Sequence, residues 1–300
     1  MHRRLALTLT ILIALGAVSL LNAQDKDDDV ITVDSSIVLL NAAVLDAAGK
    51  TVGGLTKQQF TVLEDGVEQT ILSFENESTP FAAVILLDTS GSMEQRVSIA
   101  RSAAIEFLYG LRRDDSAAIY RFDSQVKLVQ DFSNSRDIVE SIFDLKADGM
   151  TSLNDAIFKA AALLSVRPEK RRAIIVLSDG ADTKSGKSAD TALKAAIAAN
   201  ATIYTIDMSS PDDRGTERVQ NQGVLKNFAA KSGGTFVATP GGPAMRSAFK
   251  SIVEELGSQY TLTYQPANLK KDGKFRAIEI RVKRPNLTIR TRKGYNAPKK

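Results

Sequence analysis

The sequence has no cysteine, and its only histidine is His2. Without cysteine there is no disulfide framework, no thiolate zinc site and no cysteine nucleophile. His2 lies in an N-terminal stretch that reads as a removable leader. A chain without that leader has no Ser-His-Asp triad, no histidine general base and no histidine-ligated metal. Any metal would then be a hard cation held by oxygen. A strong charge excess is also lacking. The formal net charge is +4, and it falls by two when Arg3 and Arg4 leave with the leader. So balanced a charge does not argue for a nucleic-acid partner. Two catalytic loops are missing as well. Gly186-Lys187-Ser188 lacks the upstream glycine of a phosphate loop, and Ser90 lacks the preceding glycine of a nucleophile elbow.

What is present is the composition of a globular protein, 43% hydrophobic and 25% charged. The length of 300 residues suits one or two domains. Residues 1–23 read as a secretory signal peptide: Met1–Arg4 is a basic start, Leu5–Leu21 is apolar and uncharged, and Ala23 is a small residue at the cleavage position. This places the protein outside the cytoplasm, secreted or periplasmic. The alternative is an uncleaved membrane anchor, for which the run is marginally long enough.

Residues 30–78 have the texture of short strands and turns: Ile37–Leu45, Phe60–Glu64 and Val67–Phe74, with Asp65-Gly66 as a tight turn. From residue 80 to 257 strands and helices alternate. Phe81–Leu87 and Ala173–Leu177 are fully apolar runs, the pattern of buried parallel strands. Helical spacing is seen from Val97 to Leu111, and further helices are expected over Ile138–Leu145, Leu153–Val166, Asp190–Asn200, Val219–Ser232 and Pro243–Leu256. This alternation predicts an α/β fold, a doubly wound and mostly parallel sheet with helices on both faces. Residues 258–296 return to β texture, with Ile278, Ile280 and Val282 on one strand face. The economical expectation is a small all-β domain made by 30–78 and 258–296, interrupted by the α/β domain.

Three strings carry the chemistry. Asp88-Thr89-Ser90-Gly91-Ser92-Met93 directly follows the first apolar strand. Ser178-Asp179-Gly180 follows the second. Gly149-Met150-Thr151-Ser152 precedes a helix. In doubly wound sheets ligands bind beyond the carboxyl ends of the strands, so the loops share an edge. They offer two carboxylates and several hydroxyls, with no nitrogen or sulfur. That set suits magnesium, which takes about six oxygens and keeps several waters. Each string also has an ordinary reading: Ser90, Ser92, Thr151 or Ser152 as helix caps, and Asp179-Gly180 as a turn. The helix expected to start near Met93 would add a positive dipole end.

On these strings the chain resembles the von Willebrand factor type A domain, from about Pro80 to Gly257. Asp88, Ser90, Ser92, Thr151 and Asp179 match all five positions of that family's metal-ion-dependent adhesion site. Val62-Leu63-Glu64-Asp65-Gly66 and Tyr260-x-Leu262-x-Tyr264-x-Pro266 are also similar to bacterial proteins of this type from acidobacterial genomes. The resemblance implies Mg2+ at the site, with Mn2+ or Ca2+ as substitutes. It implies that Ser90, Ser92 and Thr151 touch the metal while Asp88 and Asp179 act through water. It also implies a protein partner whose Asp or Glu carboxylate completes the coordination, and no enzymatic activity.

Two other readings stay open: a metal-independent scaffold of a cell-envelope assembly, and a metal-dependent hydrolase. The hydrolase reading lacks an evident general base. The basic C-terminus, Lys270 to Lys293, reads as solvated strand faces and turns, or as a contact for anionic cell-surface material.

Overall fold

The computed structural model describes residues 37–76, 79–134, 142–143, 145–210, 215–238 and 243–299. The leader lies outside them, as does most of the helix expected at Ile138–Leu145. Among the described residues no helix is long and apolar enough to cross a membrane. Ser36–Lys300 forms one compact unit.

A six-stranded sheet runs through the middle of the unit. Its strands are β5 (Phe81–Asp88), β6 (Ser116–Phe122), β7 (Val126–Ser133), β8 (Arg171–Ser178), β9 (Ala201–Asp207) and β10 (Phe236–Ala238), in the order β10-β9-β8-β5-β6-β7. All neighbours are parallel except β7, which runs antiparallel to β6 at the edge. Every residue of β5 is buried, because helices cover both faces. Phe81, Ala83, Ile85 and Leu87 point into one core. That core also takes residues of α1 (Val97–Gly110) and α5 (Pro243–Ser258). Ala82, Val84 and Leu86 point into the other core, with α2 (Leu153–Ser165), α3 (Ala189–Ala198) and α4 (Thr216–Ser232). The continuous apolar run of the sequence thus serves two cores at once, since alternate side chains leave a strand on opposite faces.

The flanking segments pair with each other across the length of the chain. In one four-stranded sheet, β1 (Val38–Leu45) lies between β11 (Tyr260–Tyr264) and β13 (Thr288–Arg290), with β4 (Ile71–Glu75) beyond β11. In the other, β2 (Phe60–Glu64) lies between β3 (Val67–Gln69) and β12 (Phe275–Val282), with β14 (Gly294–Asn296) at the edge. A third apolar cluster, with Leu40, Val62, Tyr260 and Ile280, joins the two sheets into a β layer.

One expected strand, Val67–Phe74, is in fact two. Its first part pairs with β2 and its second with β11, in different sheets, so the chain turns a corner at Thr70. Gln69 fixes the corner: its side-chain amide donates to Val67 O and its side-chain oxygen accepts from Ala267 N.

The β layer is strapped to the opening ends of the parallel strands. Arg171, the first residue of β8, is fully buried. Its guanidinium donates to Thr261 Oγ1 at 3.1 Å and to the carbonyls of Thr79, Leu256 and Gly257 at 3.3–3.4 Å. Arg112 reaches Thr79 and Gly257 from a second direction. Both passages of the chain between the layers are therefore held by arginine. The carboxyl ends of the strands lie at the opposite edge, about 25 Å away for eight residues at ~3.3 Å each.

Candidate metal centre

At that opposite edge the three strings meet. Ser90, Ser92, Thr151 and Asp179 line one cleft, together with Gly149, Met150, Thr183, Ser209, Glu217 and Arg218. Asp88 lies beneath it, fully buried at the end of β5. One oxygen of Asp88 accepts from Ser90 N at 2.9 Å and Ser90 Oγ at 2.5 Å; the other accepts from Ser178 Oγ at 2.6 Å. Ser90 Oγ and Ser92 Oγ are 3.2 Å apart. Burial pushes the Asp88 carboxyl up to about 7, against the lowering effect of the Ser178 and Ser90 hydrogen bonds, and the charge of Asp179 pushes the same way as burial. The charge of Asp179 thus disfavours that of Asp88, an electrostatic setting that a cation would relieve.

The ordinary cap readings do not describe these side chains. Ser90 sits at the start of a short 3-10 turn, Gly91–Met93, yet makes no side-chain cap; its hydroxyl is committed to Asp88. Ser152 precedes α2 and also makes no side-chain cap. The α2 terminus is capped from another loop, by Asp182 accepting from Asn154 N at 3.0 Å. The helix expected to begin near Met93 begins at Val97. The 3-10 turn intervenes because Ser90 O accepts from Met93 N at 2.9 Å and Met93 O from Arg96 N at 2.7 Å. The dipole end of α1 therefore starts a full turn later than the string itself.

The Thr151 loop is built for position. Gly149 has φ +78, a conformation that favours glycine, and a Cβ there would lie 2.8 Å from Ser124 Oγ. Gly149 O accepts from Gly91 N at 3.1 Å, tying this loop to the Ser90 loop. Thr151 N donates to Thr183 Oγ1 at 2.9 Å, and Thr151 O accepts from Thr183 N and Lys184 N, both at 2.9 Å. With the backbone so held, Thr151 is only 3% exposed and lines the cleft. Asp179 uses one oxygen on Ala181 N at 3.0 Å. Gly180, at φ +86, lets α4 approach: a Cβ would stand 2.5 Å from Asn221 O.

The donor set is thus hydroxyls and two carboxylates, the ligands of a hard dication. Among the described residues no group of three or more His, Cys, Asp or Glu is placed to hold a metal ion, in this cleft or elsewhere. Four of the five residues singled out by sequence line the cleft, and the fifth supports them from below. Sequence reading quoted Ser178 without giving it a role, and missed Thr183 and Asp207. Asp207 repeats the local pattern of Asp88 at the end of β9, two strands away in the sheet, accepting from Ser209 N at 2.9 Å and Ser209 Oγ at 2.5 Å. An Asp-x-Ser string at a strand end was the available signal for it.

Removing the Thr183 hydroxyl gives a direct check on this support. Thr183→Val should cost about 1 kcal/mol in stability. It should also weaken Mg2+ binding about 10-fold, as loss of an outer-sphere support does. Thermal melting and calorimetric Mg2+ titration measure the two effects separately. Unchanged Mg2+ affinity would show that Thr183 holds the loop without tuning the site.

Comparison with known proteins bears on this geometry. Residues 83–181 match the family model described as von Willebrand factor type A domain. An uncharacterized protein of Synechocystis sp. is 28% identical over 160 residues, which is 52% of this chain and 37% of that protein. The chain thus matches little more than a third of that relative's length. Among solved structures, a von Willebrand factor type A protein from Catenulispora acidiphila aligns with a TM-score of 0.50 at 14% identity, covering 88% of this chain and 75% of that one. The pilus adhesin SpaC from Lactobacillus rhamnosus GG aligns with a TM-score of 0.51 at 10% identity, covering 82% and 49%. At such identities these structures speak for the fold alone.

Proposed function

From the match of residues 83–181 to the von Willebrand factor type A domain model, we propose that the chain is an extracytoplasmic binding module, not an enzyme, that recognises a protein partner through a Mg2+-dependent site. The observation that carries this reading is the meeting of Ser90, Ser92, Thr151 and Asp179 on one cleft above buried Asp88. When bound, Mg2+ supplies an electron-poor corner that accepts an anionic oxygen, here an Asp or Glu carboxylate of the partner. Mn2+ or Ca2+ can take its place.

The residues divide the work by their surroundings. Ser90, Ser92 and Thr151 present neutral hydroxyls, which leave most of the positive charge available to the partner. Asp88 orients Ser90 through two hydrogen bonds. Asp179 supplies the second negative charge that keeps a dication in place. The β layer is read as a small all-β domain, composed of the segments on either side of the α/β unit, that carries this site at its far end. The apolar leader of the sequence supports a cell-surface or periplasmic setting.

The test uses immobilised chain and envelope extract, with Mg2+ and with EDTA. The expected result is a protein captured in Mg2+, released by EDTA and recaptured when Mg2+ or Mn2+ is restored. Capture of the same protein in both conditions would overturn the metal-dependent reading in favour of a scaffold that binds through helix faces or sheet edges.

A further inference from the structure

A second groove lies beside the metal cleft. Arg121, Asp123, Lys127, Lys146 and Asp148 line it, and Gly149 belongs to the lining of both. The loop Gly149-Met150 that parts them is fixed from two directions. Met150 N donates to Ser124 Oγ at 3.1 Å, and Gly149 O accepts from Gly91 N at 3.1 Å. Met150, 49% exposed, stands on the divide.

The groove is the basic side of this edge. Arg121 of β6 and Lys127 of β7 are directly opposite in the antiparallel register, where like charges repel. The hairpin turn answers one of them: Asp123 pairs with Arg121 at 2.6 Å, while its other oxygen accepts from Gln125 N at 2.9 Å. Lys127 and Lys146 are exposed. By formal charge the groove lining holds three bases against two acids, Asp123 and Asp148. On the α4 side of the cleft, Glu217 and Arg218 offset one another in formal charge. Of these two sides, the groove is the one that offers an anion a positive excess.

We propose that the partner segment carries two acids, one completing the coordination of the cation and the other lying over Lys127 and Lys146. The proposal rests on the Mg2+-carboxylate reading of the cleft, and narrows the partner from a protein with an exposed acid to one with an acidic segment. The second acid relieves the repulsion across the β6–β7 ladder from outside, as Asp123 does from within. Exposed ion pairs contribute little each. The second acid therefore selects among partners that already reach the cation, and its effect weakens as salt rises.

Fluorescence anisotropy with synthetic peptides tests it. The peptides carry an uncharged label at the N-terminus and an amide at the C-terminus, so that side chains supply every carboxylate. Each holds one glutamate, followed at spacings of about two to five residues by a second glutamate, a serine or a lysine. In Mg2+, at one spacing or more, the parent chain should bind the Glu/Glu peptide about 5-fold tighter than Glu/Ser. Glu/Lys should bind weakest, and the differences should shrink with added salt. EDTA should abolish binding of all three. Joint Lys127→Glu and Lys146→Glu substitution, at two exposed positions, should reverse the order in favour of Glu/Lys while the chain still binds Mg2+ in calorimetry. Equal binding of the three peptides at every spacing, or an order that the double variant leaves in place, overturns this inference alone. Binding as strong in EDTA as in Mg2+, or no peptide binding by a chain that does bind Mg2+, overturns the carboxylate reading and this inference with it.

Discussion

Exchanging Asp88 for asparagine will weaken Mg2+ binding by about 10–100-fold, the usual cost of losing an orienting outer-sphere group, without weakening the metal-free fold. The two halves of this expectation come from the same atoms. Asparagine is isosteric and its side-chain oxygen can still accept from Ser90 N and Ser90 Oγ. It no longer offers the negative charge that, with Asp179, would hold a dication in the cleft. In the metal-free chain that charge is a burden, since burial pushes the carboxyl up to about 7.

The sign for pH follows from that shift. An acid whose pKa rises on folding binds its proton more tightly in the folded state. Its contribution to stability is therefore lost as pH rises from about 4 through about 7. The metal-free parent should lose stability across that window, and Asp88→Asn should lack this slope. Calorimetric titration gives the affinity, and melting at several pH values gives the slope. Thr151→Ala should match the loss of affinity with no change in the slope, because it removes a neutral hydroxyl. Equal Mg2+ affinity in parent and both variants would remove the metal site from the description of this cleft.

The second large effect is expected at the other end of the molecule. Arg171→Ala should destabilise the fold by about 3–5 kcal/mol, since it leaves buried carbonyls without donors and opens a cavity. The acceptors concerned are Thr261 Oγ1 and the carbonyls of Thr79, Leu256 and Gly257. Part of the loss is offset, because the guanidinium is itself costly to bury. Burial pushes its pKa down to about 10, and one of its nitrogens, NH2, has no hydrogen bond. A fall of about 10 °C in melting midpoint is the expected net result for a chain of this size. The Mg2+ affinity of folded Arg171→Ala should equal that of the parent, because Arg171 opens the strand whose far end carries the site. A midpoint within about 2 °C of the parent would show that Arg112 alone suffices to strap the layers.

Much of the α/β unit was legible because its signals are local. Phe81–Leu87 and Ala173–Leu177 are apolar at every position, and only a strand covered on both faces has use for that. The string Asp88-x-Ser90-x-Ser92 sits where such a strand must end. The corner at Thr70 was not legible, because Val67–Phe74 has continuous strand character. What divides it is which partner each half finds, β2 or β11, and those partners lie at very different distances along the chain. The start of α1 was misplaced for a related reason. Ser90 has the identity of a cap, but Asp88 takes its hydroxyl.

By itself the sequence determined the layer order of the α/β unit and the five oxygen-bearing positions. Strand periodicity and strand-end loops are written in neighbouring residues. Only the tertiary structure decided how those positions are held. Ser178 reaches Asp88 across 90 residues, Thr183 fixes the Thr151 backbone across 32, and Arg171 binds a hydroxyl 90 residues away. A hydrogen bond between distant segments depends on where the chain brings two atoms in space, and no local pattern of residue types records that distance.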